Sequence, residues 1–424
     1  MPERNNYSLH SGSSVQNSQG RTVNRRLPQT PPQSAFSGKV SKRLSKTQMR
    51  FKMFSIRLGL DLPFCLLVLI LVTIGLIMMF SASAPVSYYT TGDSYYYLKR
   101  QLIFAVFGII AMIAISYFDY HFFHKLAMPI LGLSFILLIA VLFWPGNSEV
   151  KRWINLGQFT FQASEFTKFA LILFFAHWGA KYFDKTSTFR YGVFPALAVL
   201  VPTVGLLALE PHFSGIVIMT LLTAVMMYLY GTKLRWFVMA LAGVLVVFFV
   251  LLITNKLGYA MERMDGWGQA LTYTTNQMWQ TTWQTRNSLY AIGSGGFWGL
   301  GLGQSRQKFL FLPEPQNDFV FAIVVEELGF IGAIIILGVF GLLVWRGITM
   351  SMRAKDKFGA LLGMGLTAQV GLQVVLNIFV ITDFLPNTGI SLPFFSSGGS
   401  SLLMLLVQMG IILSISRNAN IEKT

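Results

Sequence analysis

The chain is poor in charge and nearly devoid of cysteine. Only 12% of its 424 residues are Asp, Glu, Lys or Arg, and Cys65 is the single cysteine. One thiol excludes an intramolecular disulfide framework and a thiolate metal cluster. The five histidines (His10, His121, His124, His177, His212) are dispersed without ligand spacing, so they announce no metal centre. Acids are the scarcer charge, 17 against 33 Lys and Arg. So little charge cannot cover a water-soluble surface of this size. Apolar residues make up 54% of the chain, with a mean hydropathy of +0.57. Several apolar runs reach the roughly 20 residues that cross a bilayer core. The composition describes an all-α polytopic membrane protein.

Residues 1–57 differ: Ser, Gln, Asn and Pro dominate, with eleven Lys or Arg and one acid, Glu3. Such a segment cannot bury enough apolar surface to fold alone, so a disordered basic tail is expected. It has no short apolar core with a cleavage site, so it is no secretory signal. Lys39–Arg57 abuts the first apolar run. It reads either as an anchor on anionic membrane lipid or as a positive-inside signal. No nucleic-acid partner is expected. Ten spans are read near 62–80, 101–118, 126–144, 165–183, 192–209, 213–230, 236–254, 319–345, 358–381 and 400–416, within a membrane domain of 58–416. Lys181, Lys185, Arg190, Lys233, Arg235, Arg346, Arg353, Lys355 and Lys357 fall in alternate loops, while 209–212 and 382–399 carry no Lys or Arg. By the positive-inside rule both termini, including the 417–424 tail, are cytoplasmic.

That orientation leaves one large extracytoplasmic loop, 255–318, between helices 7 and 8. Loops much longer than about 15 residues are usually functional. This one holds Trp267, Trp279, Trp283 and Trp298, and the cations Arg263, Arg286, Arg306 and Lys308, which an anionic lipid headgroup would meet. Gly293–Gly303 has six glycines, Gly295 and Gly296 among them, so its amides could turn toward a phosphate or simply allow a re-entrant turn. A second Gly/Ser segment, 386–401, offers Thr388, Ser396 and Ser400 as uncharged phosphate ligands. Residues 151–168 place Arg152, Glu165 and Lys168 before the fourth span. Glu165 and Lys168 share a helix face, either as an interfacial salt bridge or on a polar cavity with Asp318, and Ser164 could cap that helix. Asp318 itself sits where the loop meets an apolar run, and an acid at membrane depth needs a partner, a wet cavity or a chemical task. Glu326 and Glu327 lie inside that run, about 100° apart on a helix, so they should not both face one cavity. His212 reads as a structural hydrogen bonder.

These stretches together resemble the SEDS family of bacterial shape, elongation, division and sporulation proteins. The resemblance rests on Arg152-Trp-Ile, Gln162-Ala-Ser-Glu165-Phe-Thr-Lys168, Glu210-Pro-His-Phe-Ser-Gly215 and Gly303-Gln-Ser-Arg-Gln-Lys308. It continues through Pro313-Glu314 to Asp318-Phe-Val-Phe, Glu326-Glu-Leu-Gly329 and Pro386–Ser401. It covers about 58–416 and is nearest the FtsW and SpoVE branch, with RodA related. Gln316-Asn317, His212 and Ala163 depart from the family's pattern.

The resemblance implies ten transmembrane helices and a peptidoglycan glycosyltransferase. Such an enzyme polymerises lipid II into glycan strands on the outer face of the bacterial cytoplasmic membrane, for septal wall synthesis in division. A RodA-like elongation or SpoVE-like sporulation role is the alternative within the family. It implies a class B penicillin-binding protein and other divisome proteins as partners, and it places the family's essential aspartate on Asp318. Glycan transfer needs a base for the acceptor hydroxyl and neutralisation of the departing pyrophosphate. Asp318 would be the base. Arg152, Lys168, Arg263 and Lys308, with Glu165, Glu314, Thr388, Ser396 and Ser400, would line the substrate site. No cofactor is required by the sequence, though Mg or Mn could assist at the pyrophosphate. Glu326, Glu327, Gly295 and Gly296 would serve structure or a partner contact. A lipid II flippase and a non-catalytic division scaffold are the rival classes; clustering of polar groups at one face, away from the midplane, speaks against transport.

Overall fold

A computed structural model describes residues 59–144, 152–156, 159–240, 266–272 and 282–419, all within the unit Lys52–Thr424. The basic tail, Arg263 and Trp279 lie outside the described residues. The described chain is mostly helical: α1 Leu62–Thr91, α2 Tyr96–Ser116, α3 His121–Phe143, α4 Ala163–Lys181, α5 Phe194–Leu209, α6 Phe213–Leu229, α7 Trp283–Gly295, α8 Val320–Met352, α9 Lys357–Ile381 and α10 Gly399–Arg417. Among the described residues, seven helical stretches are long and apolar enough to cross a membrane; α6 is a shorter apolar helix of 17 residues. Of the expected span 236–254, only the helical start, to residue 240, is described.

Local chemistry sets the helix ends. Asp61 caps α1 by accepting from the Phe64 amide at 3.0 Å, with Pro63 in the first turn, and Arg346 of α8 pairs with it at 2.7 Å. α1 runs eleven residues beyond the expected end at 80, through Pro85, and stops at Gly92. α9 and α10 are the inner helices, 61% and 67% buried, whereas α2 is 22% buried and faces outward over most of its surface. α2 packs along α10, α8 along α9, and α4 lies between α3 and α9. Gly363 of α9 lets Ser351 of α8 approach closely, since a Cβ there would collide with its hydroxyl.

Two features position the site. β1 Trp153–Leu156 and β2 Phe159–Gln162 pair antiparallel as a hairpin, with Trp153 opposite Gln162. It leads straight into α4. α8 is broken at Gly329, whose φ of 70° and ψ of −174° leave the helix. The glycine-rich segment fills that break: Leu300 and Gly301 amides donate to the Glu326 and Glu327 carbonyls at 2.9 and 3.0 Å, and Phe330 donates back to Gly296 at 2.9 Å. A side chain at Gly299 or Gly329 would collide with the opposing backbone.

Candidate active site

The N-terminal ends of α4, α6, α8 and α10 converge with the 386–398 segment around one cavity of about 240 Å³. Each end contributes the partial positive charge of a helix N-terminus, so together they favour an anion. The cavity wall carries Arg152 from the head of the hairpin, Glu165 and Lys168 from α4, His212 from the α5–α6 turn, and Asp318 just before α8. Charges distant in sequence thus share one cavity.

Glu165 and Lys168 pair at 2.7 Å, one helical turn apart, and both are buried. The Lys168 ammonium is therefore held on the cavity side at little conformational cost. A guanidinium N–H of Arg152 donates to the Pro211 carbonyl, which ties the hairpin to the α5–α6 turn. Beside it, burial pushes the Glu210 carboxyl up to about 8, and the Arg152 charge opposes that rise only partly. The imidazole of His212 covers Gly215 at the head of α6.

Asp318 stands against the 386–398 segment. Gly389 there has φ of 72°, and a Cβ on it would lie 2.8 Å from Asp318 Oδ2. Gln316 accepts from the Ser397 amide at 2.8 Å, and Asn377 of α9 donates to the Asp318 carbonyl at 2.7 Å. Gln101 of α2 brackets the same segment, donating to the Ser396 carbonyl and accepting from the Gly398 amide, each at 3.3 Å.

Several expected site residues stand elsewhere. Lys308 is not on the cavity: its ammonium is buried against Glu327 at 2.9 Å, Ser81 at 3.1 Å and the Gly303 carbonyl at 2.7 Å. A buried carboxylate on α8 claims it, and that ion pair belongs to the fold. Glu326 and Glu327 do not line the cavity, and both are held by one loop segment. The 299–308 segment wraps the helix ahead of the Gly329 break, so Ser305 reaches both carboxylates, its hydroxyl to Glu326 and its amide to Glu327. Glu326 also accepts from the Arg306 amide at 3.0 Å. Of the glycine-rich segment, the Leu300 and Gly301 amides are thus spent on α8. Gly295 abuts the Val325 carbonyl, and Gly296 ends α7. Arg286 is buried too, bonded to the Ala270 carbonyl and the Thr282 hydroxyl, so it greets no headgroup.

In the 386–401 segment the cavity wall is made by Gly389, Ile390, Ser391, Ser396, Ser397, Gly398 and Ser401. Thr388 precedes the Gly389 turn and stays off the wall, and Ser400 points into the bundle, about 100° from Ser401. The Ser396 hydroxyl accepts from the Leu392 amide at 2.8 Å, which locks the turn. Glu314 is exposed and accepts from the Asn317 side chain. Ser164 does not cap α4; it lines the cavity, and its buried hydroxyl has no hydrogen-bond partner. Gln162, Ser391, Ser397 and Ser401 are cavity residues that sequence reasoning passed over. Apolar–polar alternation in Trp153–Leu156 and Phe159–Gln162 around Gly157-Gln158 would have found the hairpin.

Comparison with known proteins agrees with this architecture. Residues 62–421 match the family model described as FtsW/RodA/SpoVE cell cycle protein. The chain is 39% identical to the stage V sporulation protein E of Bacillus subtilis, across 84% of this chain and 97% of that one. It is 38% identical to a probable peptidoglycan glycosyltransferase FtsW of Trichlorobacter lovleyi, across 84% and 93%. Among solved structures it is similar to the rod shape determining protein RodA of Thermus thermophilus, with a TM-score of 0.60 at 26% identity, covering 85% of this chain and 98% of that one. A chain from a peptidoglycan synthase complex that coordinates polymerization and crosslinking superposes with a TM-score of 0.69 at 24% identity, covering 86% and 100%.

Proposed function

Because the chain belongs to the FtsW/RodA/SpoVE family of cell cycle proteins, we propose that it is a peptidoglycan glycosyltransferase that polymerises lipid II. The observation that carries this reading is one cavity whose wall holds Asp318, Arg152 and Lys168 together with four helix N-termini. Glycan transfer has the same polarity: one proton to remove and one pyrophosphate to receive.

The acceptor sugar's 4-hydroxyl gives its proton to the Asp318 carboxylate as its oxygen attacks the anomeric carbon of the donor. The bond from that carbon to the pyrophosphate breaks, and direct displacement inverts the configuration. The pyrophosphate leaves with both electrons toward Lys168, Arg152 and the helix ends. Ser391, Ser397 and Ser401 supply neutral donors around it. Lys308, already committed to Glu327, takes no part. A divalent cation, Mg or Mn, would add positive charge at the departing pyrophosphate; Glu165 is engaged by Lys168 and Asp318 is kept for the proton. Among the described residues no group of three acidic or histidine side chains forms a ready metal site.

The proposal extends to ten spans with both termini in the cytoplasm, a site on the outer face of the cytoplasmic membrane, and a septal role. A class B penicillin-binding protein would crosslink the strands beside it, other division proteins would join the assembly, and the basic tail would contact anionic lipid. The test is to purify the chain with such a partner and supply labelled lipid II. Glycan polymer is expected. Lipid II crossing liposomes without any polymer would overturn the proposal in favour of transport.

A further inference from the structure

Asn377 sits one turn before the end of α9 and is fully buried. Its side-chain amide donates twice, to the Asp318 carbonyl and to the Ile390 carbonyl, each at 2.7 Å. Both partners are acceptors only, so the Nδ2 group must face them, and the Oδ1 atom is left without a hydrogen-bond partner. A buried amide that leaves its own oxygen unsatisfied is retained against a cost, and the pair of carbonyls it joins is the structural reason.

Those carbonyls belong to two different walls of the cavity. Asp318 precedes Phe319, the cap of α8, so it lies outside the helical segment. Ile390 follows the Gly389 turn, and it is Gly389 that the Asp318 carboxylate rests on. We infer that Asn377 is a positioning residue for the glycosyl transfer: its amide clamps the backbone of Asp318 to that of Ile390, so the carboxylate is fixed over Gly389 and aimed into the cavity. Asn377 itself is not on the cavity wall and touches no substrate. The inference rests on the reading of Asp318 as the base.

A clamp of this kind acts on geometry at the reacting atoms and leaves the substrate's binding groups in place. A displacement near 1 Å can cost on the order of 100-fold in turnover. In the purified complex, Asn377→Leu should lower the rate of glycan polymerisation about 10- to 100-fold, while the KM for lipid II and binding of lipid II shift less than about threefold. Gly389→Ala, which presses on Asp318 Oδ2 from the opposite side and leaves α9 untouched, should give the same split. Should Asn377→Leu fail to fold, Asn377→Ala, which removes both donated hydrogen bonds without added bulk, decides in its place. Wild-type turnover in either folded variant, or a loss of lipid II binding in proportion to the loss of rate, overturns the clamp. Asp318→Asn run alongside separates the two claims. Full activity there refutes the base, whereas an inactive Asp318→Asn beside a fully active Asn377→Leu refutes only the clamp.

Discussion

The buried pair Lys308–Glu327 offers the sharpest test of which charges build the fold and which serve substrate. Lys308 is 5% exposed and Glu327 is 0% exposed at the side chain, and all three ammonium protons are used. In Lys308→Met the carboxylate would keep the Ser81 hydroxyl at 2.7 Å and the Ser305 amide at 3.3 Å, but lose its counter-charge. Removing one partner of a buried pair costs about 3–5 kcal/mol. The two residual hydrogen bonds put this case at the lower end, roughly 3 kcal/mol, each such bond to a charge being worth about 1.5–3 kcal/mol. Thermal unfolding in detergent should therefore drop by about 5 °C or more. Combining Lys308→Met with Glu327→Gln removes the stranded charge, so the double variant should unfold above Lys308→Met alone. Turnover measured below the transition should show an unchanged KM for lipid II. A Lys308→Met protein that melts with the wild type but binds lipid II tenfold more weakly would refute this reasoning, and would return Lys308 to the substrate site.

Two further outcomes follow from the same geometry. Gly295→Ala drives a methyl group into the Val325 carbonyl, so α7 must leave α8; a loss of about 3 kcal/mol is expected, read as lowered folded yield and a lowered melting temperature. Glu210 has a folded pKa raised to about 8 from an ordinary 4.5 by burial. The folded state then holds a proton that the unfolded chain has released. Its contribution to stability is complete below pH 4.5 and is lost as pH rises toward 8. Glu210→Gln should remove that slope from melting temperatures taken across pH 5–8.

Much of the site was legible because charge is rare in this chain. With so few acids inside apolar runs, Asp318, Glu165 and Lys168 stood out, and each proved to line one cavity. Lys308 stands off the cavity for a physical reason: its place among the cations of the large loop says nothing of Glu327, whose buried carboxylate pairs with it at 2.9 Å. The glycine-rich run was ambiguous in the same way. Close approach to a phosphate and close approach to another backbone demand the same residues, and only the hydrogen bonds from Leu300 and Gly301 to α8 separate them. Asn377 carried no readable signal, since its partners are two backbone carbonyls far apart in the chain. The helical fold followed from apolar runs, although α1 and α8 are longer than their hydrophobic centres suggested.

The central claim is that Asp318 removes the acceptor's proton. It is tested most directly by comparing wild type and Asp318→Asn in polymerisation of labelled lipid II, with lipid II binding measured on the same preparations. Loss of a general base should cut the polymerisation rate by about 10²–10⁴-fold, with binding retained. An Asp318→Asn protein that builds glycan strands at the wild-type rate would contradict the account.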